Sequence, residues 1–212
     1  MLTVNEIFYS IQGEGTHAGL PCVFVRLTGC PLRCAYCDTT YAFSEGARRS
    51  EDEILTELER YPCRLVEVTG GEPLAQPDAF PLLSRLADRG FEVLVETSGH
   101  VLLDRLDARV TAILDLKTPG SGESHRMEWR NLERLKPQDQ VKFVIVDRAD
   151  YEWSRGVVAE RGLAERATVL FSPSHGVLPP AQLARWILDD GLTVRLQLQL
   201  HKYVWPGVER GV

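Results

Sequence analysis

From residue 21 onward the chain alternates short apolar runs with longer segments of helical period. The runs VFVRLT (23–28), RLVEVTG (64–70), FEVLVET (91–97), VTAILDLK (110–117), QVKFVIVD (140–147), ATVLFS (167–172) and LTVRLQLQL (192–200) have the length and β-branched content of buried strands. Between the first two, Ser50 and Glu53 stand at capping-box spacing ahead of Ile54, Leu55 and Leu58, which predicts a helix starting there. The segment PDAFPLLSRLADRG predicts a second helix, closed by Gly90. Helical patterns around 149–161 and 179–190 separate the last three strands. Strand, helix and strand repeated in this way predict an α/β fold built on parallel strands with crossovers. With about six or seven such strands, it should be a partial (β/α) barrel. A short first strand at about 3–9 precedes the alternation and is expected as an extension against the main sheet. No long linker, low-complexity tract or repeat divides the sequence, so one domain over 1–212 is expected.

Composition narrows the function. The chain is 44% hydrophobic and 25% charged with a net charge of −6, which argues against a broad nucleic-acid surface and for a small-molecule substrate. No apolar run reaches the ~20 residues of a membrane helix. MLTVNEIFYS lacks the basic start and apolar stretch of a signal peptide. The cytoplasm is therefore expected, where thiols stay reduced and a tight cysteine group reads as metal-binding or catalytic. Polar residues gather where the strands end, in TGGEP (69–73), ETSG (96–99), DLKTPGSGE (115–123), SPSHG (172–176) and HKYVWP (201–206). In parallel α/β folds the active site lies at that edge, because the connecting loops converge there.

Three of the five cysteines, Cys30, Cys34 and Cys37, fall within GCPLRCAYCDTTY (29–41). A structural zinc wants four ligands and a disulfide wants an even count. On a four-iron cubane, three thiolates leave one iron open for a substrate or cofactor, whereas an electron-transfer ferredoxin ligates every iron with protein. Cys22 and Cys63 read as small buried hydrophobes.

The spacing C-x3-C-x2-C, with Tyr36 before the last cysteine, resembles the radical S-adenosylmethionine (SAM) enzymes, and GGEP at 70–73 resembles their second motif. The resemblance implies a [4Fe-4S] cluster on Cys30, Cys34 and Cys37, with the methionine end of SAM on the open iron. It also implies one-electron cleavage of SAM to a 5′-deoxyadenosyl radical. Tyr36, Asp38, Gly70, Gly71 and Glu72 would contact SAM, the glycines and Glu72 receiving its amino group. Within that superfamily, EIFYSIQGEGTHAGLPCVFVRLTGCPLRCAYCDTTY, VTGGEP, VETSG and LQLHKYVWP resemble the 7-carboxy-7-deazaguanine synthases, from residue 5 to about 206. That family implies a radical ring contraction of 6-carboxy-5,6,7,8-tetrahydropterin with loss of ammonia, in queuosine and deazapurine biosynthesis. It further implies Mg2+, a flavodoxin or ferredoxin reductant, and a homodimer.

Carried over by position, Ile11, Gln12, Gly13, Glu14, Arg26, Thr69 and Pro206 would contact the pterin, and Thr39 the Mg2+. Further SAM contacts would come from Asp115, Leu116 and Lys117, and from Ser172, Pro173, Ser174 and His175. At these two strand ends the family pattern reads SPK and Gln-Pro, whereas this chain has DLK and SPSH. From residue chemistry alone, Arg26 is either a carboxylate clamp or a surface ion pair, QGEG also suits a hairpin turn, and Thr39 also suits a loop cap. His17, His100 and His125 read as ordinary surface or loop histidines. Two other readings share the cysteine loop: a glycyl-radical activase of the same superfamily and a non-catalytic iron–sulfur electron carrier. A zinc-bound interaction module is a third.

Overall fold

The computed structural model describes residues 1–212. Nine strands and five α-helices follow in chain order as β1 (Leu2–Ile11), β2 (Pro21–Leu27), β3 (Ala47–Arg49), α1 (Glu51–Leu58), β4 (Leu65–Gly70), α2 (Ala79–Asp88), β5 (Glu92–Thr97), β6 (Thr111–Asp115), β7 (Gln140–Ile145), α3 (Arg148–Arg161), β8 (Thr168–Pro173), α4 (Pro180–Asp189), β9 (Arg195–Leu196) and α5 (Leu200–Val204). They form one sheet in the order β3-β1-β2-β4-β5-β6-β7-β8-β9. From β2 to β9 the neighbours pair in parallel, while β1 pairs antiparallel with both β2 and β3. This is the expected partial barrel. None of the helices is long and apolar enough to cross a membrane.

Alternation along each strand divides the sheet into two faces. Val66, Val68, Val95, Leu114, Phe143 and Phe171 point outward under the helices and join a core of 38 buried residues with Leu55, Leu58, Leu83 and Tyr151. Each such side chain contributes ~1.5–3 kcal/mol on burial. The alternate positions Phe24, Leu65, Leu94 and Ile113 point inward and, with Phe8 and Cys22, make a floor of only six residues. The capping box forms as expected: Glu53 N–H donates to Ser50 Oγ at 3.2 Å and Ser50 N–H to Glu53 Oε2 at 2.7 Å.

Two expectations are corrected. The first strand lies against the main sheet as expected but is longer than 3–9, since all of Leu2–Ile11 is extended and registers along β2 from Val4↔Leu27 to Ile11↔Pro21. The run 192–200 is not a full strand, because only Arg195 and Leu196 pair with β8. Beyond them the chain turns to the N-terminal loop. Gln197 accepts from Gly15 N–H at 3.0 Å, and Leu200 N–H donates to Gly13 O at 2.9 Å. The Leu200 N–H is satisfied there rather than in a longer β9.

Candidate active site

Above the apolar floor the inward positions become polar and surround a cavity of about 280 Å³ at the C-terminal strand edge. The loop after β2 brings Cys30, Cys34 and Cys37 to its wall as free thiols. Arg33 pins this loop, donating from Nη1 to Cys30 O at 2.7 Å and Leu32 O at 2.6 Å while lying over the Phe43 ring. Burial pushes the Cys30 and Cys34 thiols up, Cys34 to about 11, against the pull of nearby Lys117. A bound metal would have to drive their deprotonation. No three His, Cys, Asp or Glu side chains gather as one metal ion requires. Three thiolates on one loop suit a cubane, which takes each on a separate iron.

The GGEP turn lies directly on the cysteine loop. Gly71 N–H donates to Leu27 O at 3.1 Å and Glu72 N–H to Gly29 O at 2.8 Å. A Cβ on Gly71 would strike the Gly29 carbonyl, and Gly70 adopts φ +145°, so both positions need glycine. Gly70 and Gly71 face the cavity, but Glu72 is fully buried and does not line it. Its carboxylate accepts from Leu74 N–H (3.0 Å), Thr97 Oγ1 (2.8 Å), Ser98 N–H (2.7 Å) and Ser98 Oγ (2.5 Å). Three donors at and just after the end of β5, with Leu74 N–H as a fourth, consume the group expected to receive an amino group. Its structural work is to tie the GGEP turn to β5.

At the end of β6, Lys117 pairs with Asp115 at 2.9 Å. Burial alone would lower the lysine, but Asp115 outweighs it and holds Lys117 well above the usual range. Asp115 Oδ1 and Tyr36 OH are buried polar atoms without partners, and both residues line the cavity. Such orphans are costly unless a polar ligand meets them, which fits SAM between them. Ser174 and His175 also line the cavity. Leu116, Ser172 and Pro173 do not: Leu116 packs into the outer core, and Ser172 and Pro173 are buried in β8.

Beside Asp115 on the next strand, buried Lys142 donates to Glu14 at 2.9 Å and to Glu96, and lies 3.3 Å from Asp115. These carboxylates hold its charge against the cost of burial and keep Lys142 well above the usual range. Thr69 donates to Glu96 Oε2 at 3.3 Å, and buried Gln12 donates to Glu67 Oε2 at 2.5 Å. Arg26 lines the cavity with Nε held by Glu6 at 2.8 Å. Its guanidinium lies against the rings of Phe8 and Tyr41, and its terminal nitrogens make no hydrogen bond within the protein. Thr39 donates to Asp38 at 2.9 Å, and Asp38 pairs with Lys202 at 3.0 Å. Desolvation would raise Asp38, but Lys202 with Thr39 and Gln199 holds it well below the usual carboxylate range. His201 packs beside Gly13, and burial followed by Lys202 lowers it to about 4, so it is neutral at pH 7.

The C-terminal expectation is corrected. Pro206 is exposed and outside the cavity wall, while Val208, Glu209 and Val212 form part of that wall. Arg210 fastens this segment, pairing with Glu45 at 2.8 Å over the Tyr41 ring. Sequence reasoning also missed Glu6, Tyr41, Glu67, Glu96, Lys142 and His201. The available signal was charge at inward strand positions, where Glu67, Glu96 and Lys142 interrupt otherwise apolar runs.

The sequence pattern of the Radical SAM superfamily matches residues 24–117. The chain is 45% identical to the 7-carboxy-7-deazaguanine synthase of Koribacter versatilis over the whole of both chains. It is 47% identical to that of Chlorobaculum tepidum, covering all of this chain and 97% of the relative. The crystal structure of QueE from Escherichia coli superposes with a TM-score of 0.78 at 25% identity, over 94% of each chain. Streptococcus suis SuiB bound to S-adenosylmethionine shares the fold at a TM-score of 0.53 and 14% identity, over 80% of this chain and 44% of that one. With identity of this order along its full length and the three-thiolate loop at the cavity wall, this chain belongs to the 7-carboxy-7-deazaguanine synthase family of radical SAM enzymes.

Proposed function

We propose that this chain converts 6-carboxy-5,6,7,8-tetrahydropterin to 7-carboxy-7-deazaguanine by radical ring contraction with loss of ammonia. The observation that carries this reading is one cavity shared by the thiolate loop and a carboxylate-sized clamp, with Cys30, Cys34 and Cys37 on one wall and Arg26 on another. When bound, the [4Fe-4S] cluster and SAM supply the electron and the carbon radical that takes a hydrogen atom from the substrate. The chain's own part is to hold and orient. Arg26 offers its two free terminal nitrogens to the pterin carboxylate, and Glu6 and the two rings fix the plane of that fork. Lys142, held by acidic side chains, presents a fixed positive charge at the inner wall. Thr39 Oγ1 and the Asp38 carboxylate, both on the wall, are hard oxygen donors of the kind Mg2+ takes sparingly alongside substrate oxygens. They would hold Mg2+ beside the carboxylate.

The segment 208–212 across the cavity supports a small substrate over the protein loop that an activase must admit. An electron carrier would have no use for the buried polar wall in the same cavity as the cysteines. For partners, we extend the reading to a flavodoxin or ferredoxin reductant, supported by the exposure of Pro31, Arg33 and Ala35 on the thiolate loop. A homodimer is supported by family resemblance alone. The test is anaerobic turnover of the carboxytetrahydropterin by cluster-reconstituted protein with SAM and dithionite, with and without Mg2+. Carboxydeazaguanine formation that rises with Mg2+ is expected. Deoxyadenosine release with no deazaguanine at any Mg2+ concentration would overturn the assignment.

A further inference from the structure

Glu67 is an anomaly of the inner face. In the sheet register it stands between Phe24 on β2 and Leu94 on β5, both in the apolar floor. An acid in that row costs stability unless something meets it. The other inward acids, Glu14, Glu96 and Asp115, each contact Lys142. Glu67 contacts no cation. It is 4% exposed, it lines the cavity, and the protein satisfies only one of its oxygens, Oε2, through Gln12. Holding Gln12 does not require a carboxylate, because a carboxamide oxygen would accept that bond equally well.

Position says what the second oxygen faces. Arg26 and Thr69 are register partners in the row above, and Glu67 lies two residues deeper on β4, ~6.6 Å further in. A pterin clamped by its carboxylate at Arg26 extends its pyrimidine ring away from that clamp, and the far edge of that ring carries two donors, the 2-amino group and N3–H. We infer that Glu67 is a specificity-determining residue whose carboxyl reads this 2-amino, N3–H edge of the pterin. The inference deepens the proposed function and rests on it.

Burial, then Glu96 and Glu14, push the Glu67 carboxyl up to about 8. A donor edge arriving beside it would favour the charged form and draw the pKa back down.

The test uses cluster-reconstituted holoenzyme with SAM and two unreactive probes in equilibrium dialysis. One is 6-carboxypterin; the other is 6-carboxylumazine, which carries a carbonyl in place of the 2-amino group. Wild type is expected to prefer the pterin by ~10–100-fold, as sites built around a buried hydrogen bond do. In Glu67→Gln the preference should fall to within ~3-fold of none, with iron content and the thermal transition reporting a retained fold. Should that variant not retain its cluster, Glu67→Asp carries the test, because withdrawing the charge by one methylene should also lower the preference. A merely structural Glu67 would weaken both probes equally. That outcome, or an unchanged preference in the variants, overturns the inference while leaving the reaction assignment standing. A wild type that binds neither probe and does not turn over the carboxytetrahydropterin would overturn the assignment itself, and this inference with it.

Discussion

The two faces of one sheet are built from the same strands, yet they do opposite things. On β4 the outward residues Val66 and Val68 vanish into the 38-residue core, while the inward residues Leu65, Glu67 and Thr69 climb from the floor into the cavity. On β6, outward Leu114 is fully buried among hydrocarbon, and the next residue, Asp115, joins an ion-pair network. The outer face carries the stability and tolerates ordinary core chemistry. The inner face places buried charge around a space, which weakens the fold unless every charge is met. Such a layer is retained for what it holds.

Four measurements break or sharpen this contrast. The largest effect belongs to the thiolate loop. Replacing Cys30, Cys34 or Cys37 with Ala should abolish the iron–sulfur chromophore and all SAM cleavage, whereas Cys22→Ala and Cys63→Ala should leave iron content intact. Loss of iron in either of the latter would contradict the three-ligand assignment.

Next, Lys142→Met should destabilise the protein by ~3–5 kcal/mol at pH 7, because Glu14, Glu96 and Asp115 lose their shared cation. Leu114→Ala on the outer face should cost a similar ~2–5 kcal/mol through a cavity. The two are told apart by pH. The Lys142 deficit should vary with pH and change in added salt, whereas the Leu114 deficit should stay constant in chemical denaturation. A pH-independent Lys142 deficit would deny the network its electrostatic character.

Arg26→Lys should alter function with little change in fold. Deazaguanine formation should fall on the order of a hundredfold, since misplacement of about 1 Å is that costly. The cluster and deoxyadenosine release should persist, and stability should change by no more than ~1 kcal/mol. Wild-type coupling of deoxyadenosine to product would remove the carboxylate clamp.

The smallest effect is a slope. Glu67 faces Glu96 from β5, Glu14 and Gln12 from the loop after β1, and Lys142 from β7, and its folded pKa stands near 8, above its unfolded value. The folded protein therefore keeps a proton that the unfolded chain releases, so this group's stabilisation is present below the unfolded pKa and is lost as pH rises towards 8. Relative to wild type, Glu67→Gln should gain stability between about pH 5 and 8, by at most ~1.4 kcal/mol per pH unit. A difference that does not vary with pH would mean that Glu67 is already charged in the folded protein.

Much of the protein was legible along the chain because its causes are local. The apolar runs from 23–28 to 167–172 and the Ser50–Glu53 capping box depend on residues a few positions apart and fold as read, and the cysteine spacing brings its three thiols to one cavity wall. Resemblance extended that reach to Arg26, Thr69 and the glycines of GGEP, all of which line the cavity. It failed where a distant strand intervenes. Thr97 at the end of β5 and Ser98 just after it withdraw Glu72 from the cavity, and the N-terminal loop draws Gln197 and Leu200 away from a longer β9. The alternation within 64–70 and 140–147 already placed Glu67 and Lys142 on a common parity with apolar neighbours, but not against each other. Whether an inward charge is an orphan or a partner depends on strand order and register, here β4-β5-β6-β7 side by side. Hydrophobic period is written residue by residue, whereas the pairing of charges across four strands is decided only when the sheet closes around them.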